Sequence, residues 1–117
     1  MKSRHDRLYL YDIIECCDRV AMFINGVGEE DYHVNPMLQD ALVRNIEVVG
    51  EAVKNLSSEI TDAHPKIAWS LIARMRDKIA HHYFRINLDV VWKTATQDLP
   101  ALRPQIATIY ESLEERP

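Results

Sequence analysis

Apolar residues in the middle of this chain recur every three or four positions, and this spacing limits the fold more than any other feature of the sequence. Between positions 38 and 56 they are Leu38, Leu42, Ile46, Val49, Val53 and Leu56. Side chains at this spacing share one face of an α-helix. No segment alternates apolar and polar residues with a period of two for long. The pattern therefore predicts helices that pack as a bundle in an all-α protein.

Local signals predict where the first two helices begin and end. Helix one is expected from about Ser3 to Asn25, because Asn25-Gly26 is typical of a helix end. The polar stretch 28–33 predicts a loop or a single turn. Asn35-Pro36 resembles an N-cap followed by proline in the first turn of helix two. Residues 57–65 then read as a polar connector.

The second half of the chain predicts two more long helices. Helix three is expected from about Lys66 to at least Ala80, with these residues facing inward: Ile67, Leu71, Ile72, Met75 and Ile79. Asn87 is the expected cap of helix four, and Pro100 is expected to break or kink it. A last helical segment follows, with Leu102, Ile106, Ile109 and Leu113 on one face. The predicted architecture is an antiparallel up-and-down four-helix bundle with a kinked or split last helix.

Composition predicts one globular domain spanning residues 1–117, because the chain is too short for two cores. It is 47% hydrophobic and 27% charged, and the N-terminus has no long apolar run. We therefore expect a cytoplasmic protein with no signal peptide and no membrane segment. Cys16 and Cys17 are adjacent, which disfavours a disulfide and predicts helix packing. The scattered positions of His5, His33 and His64 predict no metal site, and no cofactor motif is present.

The net charge of −4 disfavours nucleic-acid binding at first sight, but the charge is unevenly distributed. Residues 64–93 contain six basic and two acidic residues, a net charge of +4, while the remainder of the chain carries −8. Positive charge is thus concentrated on one segment, where an RNA would bind. The simpler interpretation, a solvated helix face, is also open.

The basic segment contains Arg76, Asp77, His81 and Tyr83, a set of groups suited to phosphate chemistry. Arginine offers a permanently charged fork of donors to phosphate oxygens, and histidine exchanges a proton near neutral pH. On a straight helix, residues five apart are separated by roughly 140°, so Arg76 and His81 would not share a face. Either the helix ends or distorts near Ala80, or a second subunit completes the site.

The spacing of arginine, four residues, histidine, one residue and tyrosine resembles the RX4HXY signature of the HEPN superfamily, in particular its HepT-like toxins. The resemblance extends over nearly the whole chain, through Asn45–Asn55, Ile67–Trp69, His82–Phe84, Val91–Trp92 and Asp98–Pro100. It implies a homodimer in which two copies of the motif share a cleft. It also implies a metal-independent endoribonuclease that cleaves RNA, with tRNA among the candidates, by attack of the 2′-hydroxyl on the adjacent phosphate.

The resemblance also assigns roles to residues. Arg76 and His81 would be catalytic, with Asp77 orienting His81 and Tyr83 positioning the substrate. Asp77 departs from the asparagine common in the family, and its carboxylate would repel phosphate. The resemblance further implies an MNT-type nucleotidyltransferase antitoxin that adds AMP to Tyr83. Three further cations of the segment are expected to contact RNA: Arg74, Lys78 and Arg85.

Two other functions remain open from the sequence alone. One is a non-catalytic helical partner of a nucleotidyltransferase, in which Arg76 anchors the phosphate of a bound nucleotide and His81 is structural. The other is a bundle that dimerises as a scaffold. Digestion of RNA by the wild type and by Arg76→Ala and His81→Ala variants separates both from the enzyme.

Overall fold

The computed structural model describes residues 2–79 and 86–114, and for residues 2–4, 76, 78 and 114 it describes the backbone alone. All regular secondary structure in these ranges is helical, so the predicted all-α class is confirmed. None of the helices in the described ranges is both long enough and apolar enough to cross a bilayer.

The two longest helices of the first half, α1 (Lys2–Ile24) and α3 (Pro36–Lys54), pack against each other, and α1 also packs against the last helix. Their apolar faces contribute to one buried cluster, in which Leu10, Ile13, Leu42, Ile46 and Val49 are fully buried. The stripe that predicted helix two is therefore the core face of α3.

The predicted helix signals at three positions are confirmed. Gly26 has a φ of 78°, a left-handed conformation that glycine adopts without strain, and it ends the first helix. Asn35 accepts a hydrogen bond from the Leu38 amide at 3.1 Å and caps α3. Asn87 accepts a hydrogen bond from the Val90 amide, also at 3.1 Å, and caps the start of α7 (Leu88–Lys93).

Two short helices occupy segments that were predicted as connectors. The segment 28–33 contains α2 (Glu29–His33), which agrees with the expected single turn. The expected polar connector at 57–65 was wrong, because it contains α4 (Ser58–Ala63). The Asp6 carboxylate, which is buried on α1, accepts hydrogen bonds from the amide and the hydroxyl of Ser57 at 2.8 and 2.6 Å. A cap from a distant helix thus stabilises α4.

Helix three was predicted as one continuous helix from Lys66, and this was wrong. The chain forms α5 (Trp69–Ala73) and α6 (Met75–Ile79), separated at Arg74. The Trp69 indole donates to the His64 carbonyl at 2.9 Å, which holds the preceding turn outside the helix. The Asp77 amide bonds the Arg74 carbonyl only three residues back, which tightens the chain at the break.

The inward residues of this region were mostly predicted correctly. Ile67, Ile72 and Ile79 are buried and Met75 is partly buried, but Leu71 is 49% exposed. On α5, Leu71 lies next to Ile72 and therefore about 100° away from it around the helix axis. Ile72 takes the position that faces the core here, and Leu71 faces away from it.

The sequence predicted that Pro100 breaks or kinks the last helix. Pro100 does not break it, because the chain forms one joined helical run from α7 through α8 (Leu99–Glu114). Between them, residues Thr94–Asp98 form a π-helical turn, in which the Leu99 amide bonds the Thr94 carbonyl five residues back. A wider turn directly ahead of Pro100 relieves the clash of its ring with the preceding turn. The irregularity therefore lies before the proline, and the helix continues through it.

Both cysteines are free and buried in the helix packing, as predicted. Burial raises the pKa of the Cys17 thiol to about 12, with a smaller contribution from neighbouring Cys16, whose own pKa is raised chiefly by burial. Both thiols are therefore protonated at neutral pH and act as apolar packing groups.

Candidate active site

The motif begins on the short helix α6, which the core holds in place. Ile79 is 1% exposed and Met75 packs against the same apolar cluster. Arg76 lies between them in sequence, and the Asp77 side chain is exposed to solvent. The first part of the motif is thus on a helix anchored by its apolar neighbours.

Of the three cations predicted to contact RNA, only Arg74 has a described side chain. It is exposed at the end of α5, and its Nε donates to the Ser70 carbonyl at 3.3 Å. A guanidinium has five N–H donors, so this bond leaves others for a phosphate. Lys78 belongs to α6 by its backbone, and Arg85 lies outside the described residues.

His81, His82 and Tyr83 also lie outside the described residues. The distance between Arg76 and His81, and the roles given to Asp77 and Tyr83 beside them, therefore stay predictions. The expected distortion near Ala80 falls in the same gap, whereas the distortion that is described occurs at Arg74, before the motif.

The chain is anchored again where it leaves the motif segment. The buried hydroxyl of Tyr32, on α2, donates to the Leu88 carbonyl at 2.8 Å, and its ring stacks on Trp92 with 4.7 Å between centroids. Burial raises the pKa of Tyr32 to about 12, and the nearby carboxylates of Asp89 and Glu29 act in the same direction. Sequence reasoning missed this anchor, whose only signal is an aromatic residue in the polar stretch between two helices.

A surface cluster joins α2 to α7 beside this anchor. The His33 Nε2 atom lies 3.4 Å from the Glu29 Oε2 atom and 3.4 Å from the Asp89 Oδ1 atom. The three potential ligand atoms lie within 4.8 Å of one another. The three scattered histidines predicted no metal site, and the fold brings two carboxylates to one of them, His33. All three side chains are exposed, so an ion pair here adds little to stability.

An apolar groove lies between α5 and the joined helical run, next to α6. It forms a cavity of ≈ 450 Å³, and its lining includes Lys66, Leu71, Met75, Lys93 and Asp98. A second cavity of ≈ 420 Å³ shares Lys66, Ile67 and Gln105 with the first and extends the groove towards Ile109. We call the two cavities together the basic groove. No local sequence pattern indicates this groove, because its walls come from segments far apart in the chain.

Comparison with known proteins identifies what the chain resembles. The profile of the family described as "Ribonuclease HepT-like" matches residues 13–109, a range that includes the whole motif. The chain is 39% identical to the "Probable ribonuclease HepT" of Thermococcus cleftensis over 88% of its length and 93% of that protein. It is also 39% identical to a protein of Caldanaerobacter subterraneus subsp. tengcongensis named "Putative RNase", over 90% of its length and 94% of that protein. No solved structure gives a significant match.

Proposed function

Because this chain belongs to the HepT-like ribonuclease family, we propose that it is a metal-independent endoribonuclease toxin that cuts RNA at a site shared by two subunits. The observation that carries the proposal is the position of the Arg76–Tyr83 motif, inside the family match and on the segment of net positive charge. A cation cluster attracts a phosphate backbone, and the motif supplies the groups that would act on it.

The proposed reaction is a transesterification within the RNA. One His81 takes the proton from a 2′-hydroxyl, whose oxygen forms a bond to the adjacent phosphorus atom. The bond from phosphorus to the 5′-oxygen breaks, and the His81 of the partner subunit gives that oxygen a proton. Arg76 stabilises the negative charge that develops on the phosphorane. The products are a 2′,3′-cyclic phosphate and a 5′-hydroxyl end.

A homodimer can bring the Arg76 and His81 side chains together, which a single straight helix cannot do. Residues five apart on a straight helix point in different directions, so a pair of subunits facing across a two-fold axis is a simple way to bring cation and imidazole together. Heterodimers made by mixing two kinds of chain test whether the site is shared between subunits. A heterodimer of wild-type and His81→Ala chains retains a single His81, so we expect it to cleave RNA about as slowly as the His81→Ala homodimer, because the proposed reaction needs one imidazole from each subunit. If that heterodimer keeps a large share of the wild-type rate, each site belongs to one chain.

The test of the enzyme is digestion of RNA by the purified protein. We expect His81→Ala to lower the rate about 10²- to 10⁴-fold and Arg76→Ala about 10²- to 10³-fold. His5→Ala and Arg19→Ala are the matched controls, because both side chains are exposed on α1, and we expect no change from them. Replacing the 2′-hydroxyl at the cut by hydrogen should abolish cleavage, and a chelator should leave the rate unchanged.

If wild type and both motif variants leave RNA equally intact, the chain is not a nuclease. Binding of a nucleotide, lost in Arg76→Ala, would then support the non-catalytic partner of a nucleotidyltransferase. A dimer that neither cleaves RNA nor binds a nucleotide would be a scaffold.

The toxin role and its control are the further parts of the proposal. We expect expression of the chain alone to arrest growth, and His81→Ala to relieve the arrest. An MNT-type nucleotidyltransferase would inactivate the toxin by adding AMP to Tyr83, since an anionic adduct near Arg76 competes with the substrate phosphate. Mass spectrometry after incubation with that enzyme and ATP should show one adenylate, absent from Tyr83→Phe.

A further inference from the structure

The basic groove is long and runs beside the helix that leads into the motif. Its residues on the joined helical run extend from Val90 to Ile109, which corresponds to about 28 Å of helix. On the opposite wall it includes Met75, the residue directly before Arg76. The groove therefore offers an extended ligand a path along the protein that ends at the motif helix.

The π-helical turn forms part of the groove wall. Thr94 and Asp98, its first and last residues, both line the cavity. Turns of this kind inside α-helices occur frequently at functional sites. The Thr94 hydroxyl donates to the Val90 carbonyl at 2.8 Å, so its hydrogen is used within the helix. Asp98 is the partly exposed acceptor that the turn presents to the groove.

The lining combines the chemical groups that a nucleotide needs. Lys66 and Lys93 are exposed cations able to contact phosphates, and the exposed part of Leu71 with Met75 offers an apolar surface to a base. The carboxylate of Asp98 is able to accept hydrogen bonds from base amino groups, and the Gln105 amide is able both to donate and to accept. The groove thus has separate places for phosphate, for base face and for base edge.

We propose that the basic groove binds a single-stranded segment of the RNA substrate next to the scissile phosphate, a step that rests on the proposed function. Charge favours this occupant. The charged side chains of the groove lining are Lys66 and Lys93 against Asp98, a net charge of +1. The segment 64–93 carries +4 while the remainder of the chain carries −8, so the groove attracts RNA more than an average part of this acidic protein would. Lys66 and Lys93 both belong to that segment. The same lining would also accept an acidic protein segment, and the experiments below separate the two.

The first experiment measures how RNA affinity depends on salt. Full-length protein carrying His81→Ala, to prevent turnover, is titrated with a short labelled single-stranded RNA at several salt concentrations. Each phosphate contact contributes about 0.7 to the slope of log Kd against log salt for a single strand, so Lys66→Ala with Lys93→Ala should lower the slope by about 1.4. The matched control removes the same charge at two exposed residues outside the groove, Arg19→Ala with Lys54→Ala. An equal fall in slope for both pairs would contradict the proposal.

The second experiment observes the groove itself. Met75 lines it, whereas Met22 and Met37 are exposed outside it, so labelled methionine methyl groups give one reporter and two internal controls. We expect saturable shifts of the Met75 methyl resonance with the Kd of RNA binding, and unchanged Met22 and Met37 resonances. An unmoved Met75 resonance at saturating RNA would exclude the groove as the RNA site.

A third variant distinguishes RNA from a protein occupant. Leu71→Asp places a carboxylate on the apolar surface and should raise the Kd for RNA at least 10-fold, while Met37→Asp, at another exposed apolar residue, should not. Circular dichroism shows whether either variant remains folded. If Leu71→Asp changes the oligomeric state but not RNA binding, the groove is a protein interface and the proposal is wrong.

Failure of this proposal can be told apart from failure of the proposed function. If the lysine pair changes neither affinity nor KM while Arg76→Ala and His81→Ala still abolish cleavage, the groove proposal falls and the ribonuclease stands. If the wild type cuts no RNA, the ribonuclease proposal is wrong, whether or not the Met75 methyl resonance shifts when RNA is added.

Discussion

The contact between Asp6 and Ser57 offers a direct test of how the fold is held together. Asp6 is 2% exposed and accepts two hydrogen bonds from Ser57, one from the amide and one from the hydroxyl. Ser57 is the N-cap residue of α4 but makes no capping hydrogen bond with its own side chain. The carboxylate on α1 instead holds the N-cap residue itself, at a helix end where negative charge is favourable. We expect Asp6→Ala to destabilise the protein more than most single substitutions.

The magnitude follows from the two bonds. A hydrogen bond to a charged group contributes about 1.5–3 kcal/mol, so Asp6→Ala should lower the free energy of unfolding by about 3–6 kcal/mol. Ser57→Ala removes only the hydroxyl donor and should lower it by about 1.5–3 kcal/mol. With an unfolding entropy of about 2.1 cal/mol/K per residue, the loss for Asp6→Ala corresponds to a fall in Tm of about 12–24 °C for this chain.

Urea denaturation followed by circular dichroism measures both effects. All variants are compared at one protein concentration, because dimerisation would contribute to stability. Asp62→Ala, at an exposed carboxylate on α4, is the matched control and should change stability by less than about 0.5 kcal/mol. The double variant Asp6→Ala with Ser57→Ala should show a coupling of about 1–2 kcal/mol. Strictly additive effects, or a loss for Asp6→Ala no larger than for Asp62→Ala, would refute the reasoning.

Three further predictions concern single groups. In a spectroscopic titration, Tyr32 should ionise only near pH 12, and Tyr32→Phe should remove that late step. Because the folded pKa of Tyr32 is raised from 10 to about 12, its contribution to stability is present below pH 10 and lost as the pH rises towards 12, so Tyr32→Phe should weaken the alkaline decline in stability. Cys16 and Cys17 should react with a thiol reagent only when urea unfolds the protein, and rapid reaction of the native protein would contradict their burial. Asp77→Asn removes a negative charge beside the proposed phosphate site and should lower KM for RNA, most at low salt; an unchanged KM would mean that the carboxylate lies away from the phosphate.

Features set by a few neighbouring residues could be predicted from the sequence. The caps at Asn35 and Asn87 and the turn at Gly26 depend on local chemistry, and each lies where the pattern placed it. The helix α4 could not be predicted in the same way. Its cap comes from Asp6, 51 residues away, and no local pattern shows such a contact.

The departures in the second half of the chain also have tertiary causes. The separation of α5 from α6 at Arg74 contains neither glycine nor proline, so the sequence carries no breaking signal there. Pro100 was such a signal, but the π-helical turn before it allows the helix to continue. The packing around a helix determines where a π-helical turn can accommodate a proline. Sequence composition alone does not determine this position.

The candidate site also has features that depend on local sequence and features that depend on tertiary packing. The motif spacing indicated the family, which the family match confirms, and the chemistry assigned to Arg76 and His81 stays a prediction from residue type and order. The basic groove depends on how α5 lies against the joined helical run, so it became visible only with the fold. The positive charge of residues 64–93 was apparent beforehand, but the apolar surface between Lys66 and Lys93 was not.

The positions of the two indole rings give this protein a built-in pair of optical probes. Trp69 precedes the motif and is tied to the His64 carbonyl, whereas Trp92 follows it and rests on the phenol of Tyr32. With only two tryptophans in the chain, replacing either one by phenylalanine leaves a fluorophore that reports on one flank of the motif. Fluorescence of the two single-tryptophan variants would therefore show which flank of the motif changes first when RNA binds, without an attached dye.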